Sequence, residues 1–151
     1  MTPQKHVTVI GGGLAGCEAC WQLARRNIAV TLIEMKPETF SPAHKSPLFA
    51  ELVCSNSLKS LQPATATGTL KKELVSLNSL IMEAARVNAI PAGNALGVDR
   101  TRFSAYITQQ LETIPHVRIE HRTITSLDDI TNRPAILATG PLTHPVLIKD
   151  L

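Results

Sequence analysis

The chain has 151 residues, about the size of one domain. Its hydrophobic fraction of 44% and charged fraction of 18% are typical of a globular protein and exclude disordered and fibrous classes. The net charge is only +3 and the Lys and Arg residues are scattered, so charge by itself does not indicate a nucleic-acid partner.

The first predicted elements form a β-α-β unit. A β-branched run predicts a strand from His6 to Ile10, a helical sequence follows from Leu14 to Arg26, and a second apolar run predicts a strand from Ala29 to Glu34. Between the first strand and the helix stands a glycine-rich turn. This order is the sequence context in which such a turn binds a dinucleotide.

The turn has glycines at G-x-G-x-x-G spacing, at Gly11, Gly13 and Gly16. The first permits a tight turn, the second lets backbone approach a pyrophosphate, and the third lets helix and strand pack closely. Glu34 is placed to accept hydrogen bonds from an adenosine ribose and to repel a 2′-phosphate. The alternative is a glycine-rich turn without a ligand. The predicted cofactor-binding residues here are Gly11, Gly12, Gly13, Leu14, Ala15, Gly16 and Glu34.

The next segment, 36–69, is rich in Pro, Ser and Thr and predicts a long functional loop with one apolar island that ends at Cys54. Apolar residues from Leu70 to Ala84 then recur at intervals of three and four, which predicts one helix that ends near Asn88 and packs its apolar stripe on the domain.

A second helix is predicted after Asp99, which could cap it, and should end at Pro115. Two strand-like runs follow, 117–120 and 135–138, and the second has the composition of a buried central strand. It leads into Ala138, Thr139 and Gly140, a second glycine-containing strand end that we expect beside the same nucleotide. The order predicts an α/β fold: a Rossmann-like parallel sheet with helices on both faces and a long loop and helical insertion.

The three cysteines have different surroundings. Cys17 and Cys20 form a C-x-x-C, which allows a redox or metal interpretation, although buried cysteines that pack the helix fit better and no metal site is expected. Cys54 precedes Ser55 and Asn56, which could donate hydrogen bonds to a flavin or a substrate carbonyl. Two interpretations of Cys54 stay open, a small buried thiol and a nucleophile.

Two further polar positions have structural and functional interpretations. His44 fits a hydrogen-bonded loop residue better than a catalyst, and Asp99 with Arg100 fits a helix cap and an ion pair better than an acid and an anion clamp. The sequence also shows no membrane-spanning run, no signal-peptide pattern and no disulfide framework. We therefore expect a cytoplasmic protein with no membrane partner; no pattern indicates an oligomeric state.

Taken together, several segments resemble the N-terminal part of TrmFO, the family of folate- and FAD-dependent tRNA (uracil-5-)-methyltransferases. The matching segments are G-G-G-L-A-G at 11–16, E-M-K-P at 34–37, P-A-H at 42–44, F-A-E-L-V-C-S-N-S-L at 49–58, P-A-G-N-A-L-G-V-D-R at 91–100 and A-T-G-P-L-T at 138–143. The chain departs from the expected pattern at Cys17, Cys20, Lys36 and Asn94.

The resemblance implies that residues 1–151 are the N-terminal segment of an FAD-binding domain, inactive alone, whose complete protein forms 5-methyluridine in the T loop of tRNA. Methylenetetrahydrofolate would be the carbon donor, and reduced FAD, recharged by NAD(P)H, the reductant. It implies a catalytic role for Cys54, shared with or exchanged for a cysteine outside this chain. It also extends the expected cofactor site to Lys36, Ser55, Asn56, Arg100 and Ile124, besides Ala138, Thr139 and Gly140.

Two other functions stay open on the sequence. One is that of a GidA-type flavoprotein that modifies wobble uridines in tRNA, although the segment around Cys54 fits this less well. The other is a non-catalytic dinucleotide-binding module from a truncated gene.

Overall fold

The computed structural model describes residues 5–151. These residues form seven strands, β1 (His6–Ile10), β2 (Ala29–Glu34), β3 (Ser57–Ser60), β4 (Ala89–Ile90), β5 (Ala95–Val98), β6 (Val117–His121) and β7 (Ala135–Leu137). They also form five α-helices, α1 (Leu14–Ala24), α2 (Ala66–Ser76), α3 (Leu80–Val87), α4 (Arg100–Glu112) and α5 (Pro145–Ile148). Short 3₁₀ turns lie at Leu127–Asp129 and Gly140–Leu142.

The main sheet contains four parallel strands in the order β6-β2-β1-β7. Its side chains alternate between two faces, as the pleat of a strand requires. Val9 and Leu32 belong to the larger core, which includes residues of α1, α3 and α4, whereas Ile10 and Ile33 belong to a smaller cluster that includes Leu147 of α5. The sheet is thus covered on both faces, which confirms the predicted α/β class.

The predicted β-α-β unit is confirmed with small changes at the helix end. Both strands have the predicted bounds, and the helix ends at Ala24 rather than Arg26. Asn27 has a φ of +56°, a left-handed conformation that Asn adopts more readily than most residues and that returns the chain to the sheet. Parallel pairing sets Val9 opposite Leu32 and Ile10 opposite Ile33.

The insertion contains a second, antiparallel sheet that the sequence did not indicate. Its three strands lie in the order β3-β5-β4, with β3 inside the segment 36–69 that was predicted to be loop. Thr65 accepts a hydrogen bond from the N–H of Gly68 and so caps α2 before the expected start of the helix.

The prediction of one helix from Leu70 to Asn88 is wrong. Two helices, α2 and α3, are separated at Asn78, whose φ is +55°. Leu70 and Leu77, assigned to the buried stripe, are 54% and 58% exposed. The apolar spacing continues across the break, but a left-handed residue redirects the second helix, so one face no longer runs through both.

The helix predicted after Asp99 is confirmed. Asp99 accepts a hydrogen bond from the N–H of Arg102 at 3.0 Å and caps α4. Phe103, Ile107 and Leu111 are fully buried, so this face of the helix contributes to the larger core.

The prediction that the last strand is central is wrong within the described residues. β7 pairs with β1 on one side, and no further strand of residues 5–151 pairs with its other side. Ile136 and Leu137 are 38% and 41% exposed. The apolar run indicates how much apolar surface the strand could bury, whereas the position of the strand in the sheet depends on pairing with strands distant in sequence.

Among residues 5–151, no helix combines the length and the apolarity required to cross a membrane.

Candidate functional site

A cavity of about 320 Å³ lies at the carboxyl ends of the parallel strands β1, β2 and β7. In open α/β sheets this is the edge where ligands bind. Most of the predicted cofactor residues line it: Gly11, Gly12, Gly13, Leu14, Ala15, Glu34, Lys36, Ile124, Ala138, Thr139 and Gly140. The fold therefore brings together segments from both ends of the chain.

Three positions of the turn favour glycine for different geometric reasons. Gly11 has a φ of +101°, which favours glycine, and a Cβ on it would lie 2.6 Å from the carbonyl oxygen of Ala138. A Cβ on Gly16, which does not line the cavity, would lie 1.8 Å from the carbonyl oxygen of Gly11. At Gly13 a Cβ would have no protein atom within 4 Å. Two of the glycines thus serve packing, while the third leaves open space beside the cavity.

The N-terminus of α1 opens onto this space. Gly13 is the N-cap and offers no side-chain hydrogen bond, and Gly13, Leu14 and Ala15 are all exposed. The first-turn N–H groups of a helix have no intrahelical acceptor, and together with the helix dipole they favour an anion. The geometry fits a phosphate group at this end of the cavity.

Glu34 is buried at the end of β2 and held by two backbone donors. Its Oε2 accepts from the N–H of Gly12 at 2.5 Å, and its Oε1 accepts from the N–H of Lys36 at 3.0 Å. A carboxylate oxygen has more than one acceptor direction. The carboxylate is therefore oriented toward the cavity by these two contacts and keeps acceptor capacity for a hydroxyl donor.

The Ala-Thr-Gly return, residues 138–140, forms a further part of the cavity wall. The N–H of Ala138 donates to the carbonyl oxygen of Ile10 at 2.8 Å, which fixes this segment beside the glycine turn. Gly140 has a φ of +67°, and a Cβ there would meet no protein atom within 4 Å. The segment thus presents a second stretch of open backbone to the same cavity.

The cavity also contains polar residues that the sequence did not assign to a cofactor site. His44 and Arg122 line it, as do Thr143 and His144. The Nδ1 of His44 lies 2.6 Å from the Oγ of Ser41, in agreement with its interpretation as a hydrogen-bonded loop residue. The family segment P-A-H was the signal that could have indicated His44, whereas Arg122 carried no local signal.

The remaining predicted site residues lie elsewhere. Cys54, Ser55, Asn56 and Arg100 line a second cavity of about 680 Å³ beside the N-terminus of α4. Val53 lines the first cavity, so the backbone passes directly from one cavity to the other.

The environments of Cys54 and Arg100 differ from two of the sequence interpretations. Cys54 is exposed, which excludes the alternative of a buried thiol. The Nη1 of Arg100 donates to the carbonyl oxygen of Leu52 at 3.3 Å, while Asp99 pairs with Arg102 at 3.8 Å. The predicted cap at Asp99 is therefore confirmed, but its ion-pair partner is Arg102 rather than Arg100.

Cys17 and Cys20 are fully buried packing residues of α1. The Sγ of Cys17 donates to the carbonyl oxygen of Gly12 at 3.2 Å. Burial raises the pKa of Cys20 to about 12 and that of Cys17 well above its ordinary value. The redox interpretation, which needs a lowered pKa, is wrong, and residues 5–151 contain no cluster of three His, Cys, Asp or Glu side chains that could hold a metal.

Comparisons with known proteins agree with this architecture. The family model described as glucose inhibited division protein A matches residues 6–150. The methylenetetrahydrofolate–tRNA-(uracil-5-)-methyltransferase TrmFO of Desulfotalea psychrophila is 52% identical over 151 residues, which are 100% of this chain and 34% of that protein. The TrmFO of Anaeromyxobacter dehalogenans is 55% identical over 148 residues, 97% of this chain and 32% of that protein.

Among solved structures, the GidA-related protein from Thermus thermophilus matches with a TM-score of 0.54 at 18% identity, and the match covers 97% of this chain and 67% of that one. This match supports the fold. The chain spans about a third of the length of the curated relatives that it matches.

Proposed function

The chain belongs to the family described as glucose inhibited division protein A, and we propose that it is the FAD-binding part of a tRNA methyltransferase that forms 5-methyluridine in the T loop. The names of relatives about half identical to it support this reaction. Because the chain spans about a third of their length, the reaction is proposed for the complete protein and not for residues 1–151 alone.

The observation that carries the proposal is the cavity at the carboxyl ends of β1, β2 and β7. It combines an uncapped helix N-terminus, the glycine turn, Glu34 and the return at Ala138 to Gly140. In the proposed complex the first-turn N–H groups of α1 bind the pyrophosphate, and Glu34 accepts hydrogen bonds from the adenosine ribose. Ile124 and Lys36 are proposed as further residues of the wall of this site, since both line the cavity.

When bound, FAD supplies the reducing equivalents that convert a transferred one-carbon group to a methyl group. Methylenetetrahydrofolate is the proposed carbon donor, and NAD(P)H the proposed source of electrons. The cytoplasm is the proposed location of this activity. The role of this chain is to bind and orient the cofactor next to the segment that contains Cys54.

Cys54 is the proposed catalytic residue. The C5 carbon of uracil is a weak nucleophile, and addition of the Sγ thiolate to C6 moves the C5–C6 π electrons toward the C4 carbonyl and makes C5 reactive. C5 would then bond to the methylene carbon of the folate, the bond from that carbon to the folate nitrogen would break, and the C5 proton would pass to solvent. Sγ would leave as a hydride equivalent from the reductant completes the methyl group and the C5–C6 double bond re-forms. An exposed thiol beside the wall of the first cavity supports this role. We propose that three polar residues of the same cavity contact the cofactor: Ser55, Asn56 and Arg100.

Cofactor binding is tested by titrating the 151-residue chain with FAD while flavin fluorescence is followed. We expect weak, saturable binding that ADP competes away, because the adenosine and pyrophosphate part of the site lies within the chain. Failure of FAD to bind, or binding that ADP leaves unchanged, contradicts this assignment.

The reaction is tested in a hybrid in which the chain replaces the matching segment of the Desulfotalea psychrophila relative. The hybrid should convert uridine to 5-methyluridine in the T loop only when the folate is supplied, and Cys54→Ser should abolish this while FAD binding is kept. The 151-residue chain alone should give no product. Modification at the wobble position would favour a GidA-type function instead, and FAD binding without any tRNA product would favour a non-catalytic module.

A further inference from the structure

We propose that Lys36 and Glu51 are positioning residues that hold segment 44–53 against the glycine turn and so fix one wall of the dinucleotide site. This inference rests on the proposed function for the identity of the ligand. The resemblance implies only that Lys36 belongs to the cofactor site, whereas this inference assigns its ammonium to segment 44–53 of the protein.

The ammonium of Lys36 is bound by protein atoms of segment 44–53. The residue is 3% exposed, and its Nζ donates to the carbonyl oxygens of Ser46 at 3.1 Å and Leu48 at 2.6 Å. The Oε2 of Glu51 lies 3.7 Å from the same nitrogen. An ammonium has three N–H donors. Two of these donors bind the carbonyls, and the carboxylate of Glu51 lies at ion-pair distance, so protein atoms of segment 44–53 partner the Lys36 charge. The residue also belongs to the lining of the cavity.

Glu51 completes the same arrangement from the other end of the segment. Its Oε1 accepts from the N–H of Lys45 at 3.0 Å, and its Oε2 accepts from the N–H of Ser46 at 3.2 Å. The segment thus folds back on itself, with its N–H groups bound to Glu51 and its carbonyls bound to Lys36. Because both residues also belong to the lining of the cavity, we infer that the fold of the segment and the shape of the cavity depend on the same two residues.

The segment in turn contacts the glycine turn directly. The N–H of Ala50 donates to the carbonyl oxygen of Gly12 at 2.8 Å, and a Cβ on Gly12 would lie 2.8 Å from Cδ1 of Phe49. Phe49 also stacks on His121, whose Nδ1 contacts the backbone oxygen of Lys36. Gly12, whose N–H binds Glu34, is therefore held from the other side by this segment.

The side chains of this pair are only 4% and 16% exposed, so removal of one charge leaves the other without its counter-ion in a largely buried place, which disfavours the closed arrangement. We expect loss of the Lys36 charge to open segment 44–53 locally before the rest of the chain unfolds. The peptide bond between Lys45 and Ser46 reports such an opening, because Lys45 is exposed while the N–H and carbonyl of Ser46 are both bound in the closed arrangement.

The test compares the variants Lys36→Met, Lys36→Arg and Glu51→Gln with the wild-type chain. Lys72→Met, at an exposed lysine of α2, is the matched control. Two quantities are measured: the rate of native-state trypsin cleavage at Lys45–Ser46, and the FAD affinity. Cleavage after the exposed Arg102 of α4 serves as the internal reference for global unfolding. Substitution of Lys36 does not remove a trypsin site, because trypsin does not cleave before Pro37.

Lys36→Met and Glu51→Gln should speed cleavage at Lys45–Ser46 by about tenfold or more and weaken FAD binding by a similar factor, while cleavage after Arg102 stays constant. Lys36→Arg, which keeps the charge and the donors, should restore both quantities toward wild type. Lys72→Met should change neither.

Weaker FAD binding by Lys36→Met with wild-type cleavage at Lys45–Ser46 would overturn the proposal, since it would indicate a direct contact between the ammonium and the cofactor. Equal acceleration at every site would overturn it as well, because it would show a purely global effect. If the wild-type chain takes no FAD, the proposed function fails on its own, whereas the cleavage rates still decide whether the pair holds the segment. If Lys36→Met does not fold, Glu51→Gln provides the same comparison.

Discussion

At the residue scale, one glycine motif contains two kinds of glycine. Gly16 is required by the protein itself, because a Cβ there would lie 1.8 Å from a backbone oxygen of the turn. Gly13 has an ordinary φ of −76° and no protein atom near its would-be Cβ, so any constraint on it must come from outside the protein. The two positions therefore separate folding from ligand binding.

Gly16→Ala should lower the free energy of unfolding by about 3 kcal/mol, since neither backbone element can move freely away from the new methyl group. Gly13→Ala should lower the free energy of unfolding by less than about 1 kcal/mol, because glycine is a better N-cap than alanine. The same substitution should weaken FAD binding by about tenfold or more. Urea unfolding and fluorescence titration measure the two effects. Equal destabilisation by both substitutions would contradict the division between these glycines.

The buried thiols make stability depend on alkaline pH. Burial raises the pKa of Cys20 from its ordinary value of 9.0 to about 12, so the folded chain keeps this proton at a pH where the unfolded chain has lost it. The free energy of unfolding should therefore fall as pH rises from 9 toward 12, by about 1.4 kcal/mol per pH unit for this one thiol. Urea unfolding between pH 8 and about 11 measures the slope.

Cys20→Ala is the control for other groups that titrate in the same range. One of these is Tyr106, whose pKa is raised chiefly by its hydrogen bond to Glu83. Only the difference in slope between wild type and Cys20→Ala belongs to the thiol. A variant with the wild-type slope would show that Cys20 ionises equally in both states.

At the element scale, the break between α2 and α3 depends on one residue. Asn78 is left-handed, and its carbonyl oxygen accepts a hydrogen bond from the indole Nε1 of Trp21 at 2.9 Å. Ser79 then begins α3: its Oγ accepts from the N–H of Met82 and donates to the Oε2 of Glu18. The turn is therefore fixed to α1, and α3 starts in the direction that its contacts with α1 and α4 need.

Asn78→Ala should destabilise the chain by about 1 kcal/mol, because a Cβ without a polar side chain disfavours the left-handed region. Asn78→Gly should be close to neutral, since glycine adopts this conformation without strain. The comparison is made by urea unfolding at neutral pH. Equal stability of the alanine and glycine variants would indicate that the turn relaxes into a continuous helix.

At the scale of the whole molecule, the first cavity is assembled from segments more than a hundred residues apart. The glycine turn comes from the start of the chain, residues 122–124 follow β6, and residues 138–144 follow β7. Parallel pairing of β1 with β2 and β7 brings these strand ends to one edge. A ligand in the cavity therefore contacts segments from both ends of the chain.

FAD should slow amide hydrogen exchange in residues 11–16 and 138–144 together, whereas α2, which does not line the cavity, should be unaffected. At a free FAD concentration of about 100 Kd the chain should gain about 2.7 kcal/mol of stability by mass action. Exchange measured by mass spectrometry with and without FAD tests this. Protection confined to one of the two segments would contradict a single shared site.

Local patterns in the sequence are sufficient to predict some of the elements. Alternating apolar residues, the three glycines of the turn and the Asp99 cap each act within a few residues. They predict β1, α1, β2, α4 and the part of the first cavity that the glycine turn forms. The other features of the fold become visible only in the tertiary structure, because they depend on contacts outside the local sequence. Asn78 turns a continuous apolar stripe into two helices, β7 lies at an edge since its pairing depends on β1, and the Lys36 ammonium is engaged by a segment ten residues away whose fold no local pattern indicates.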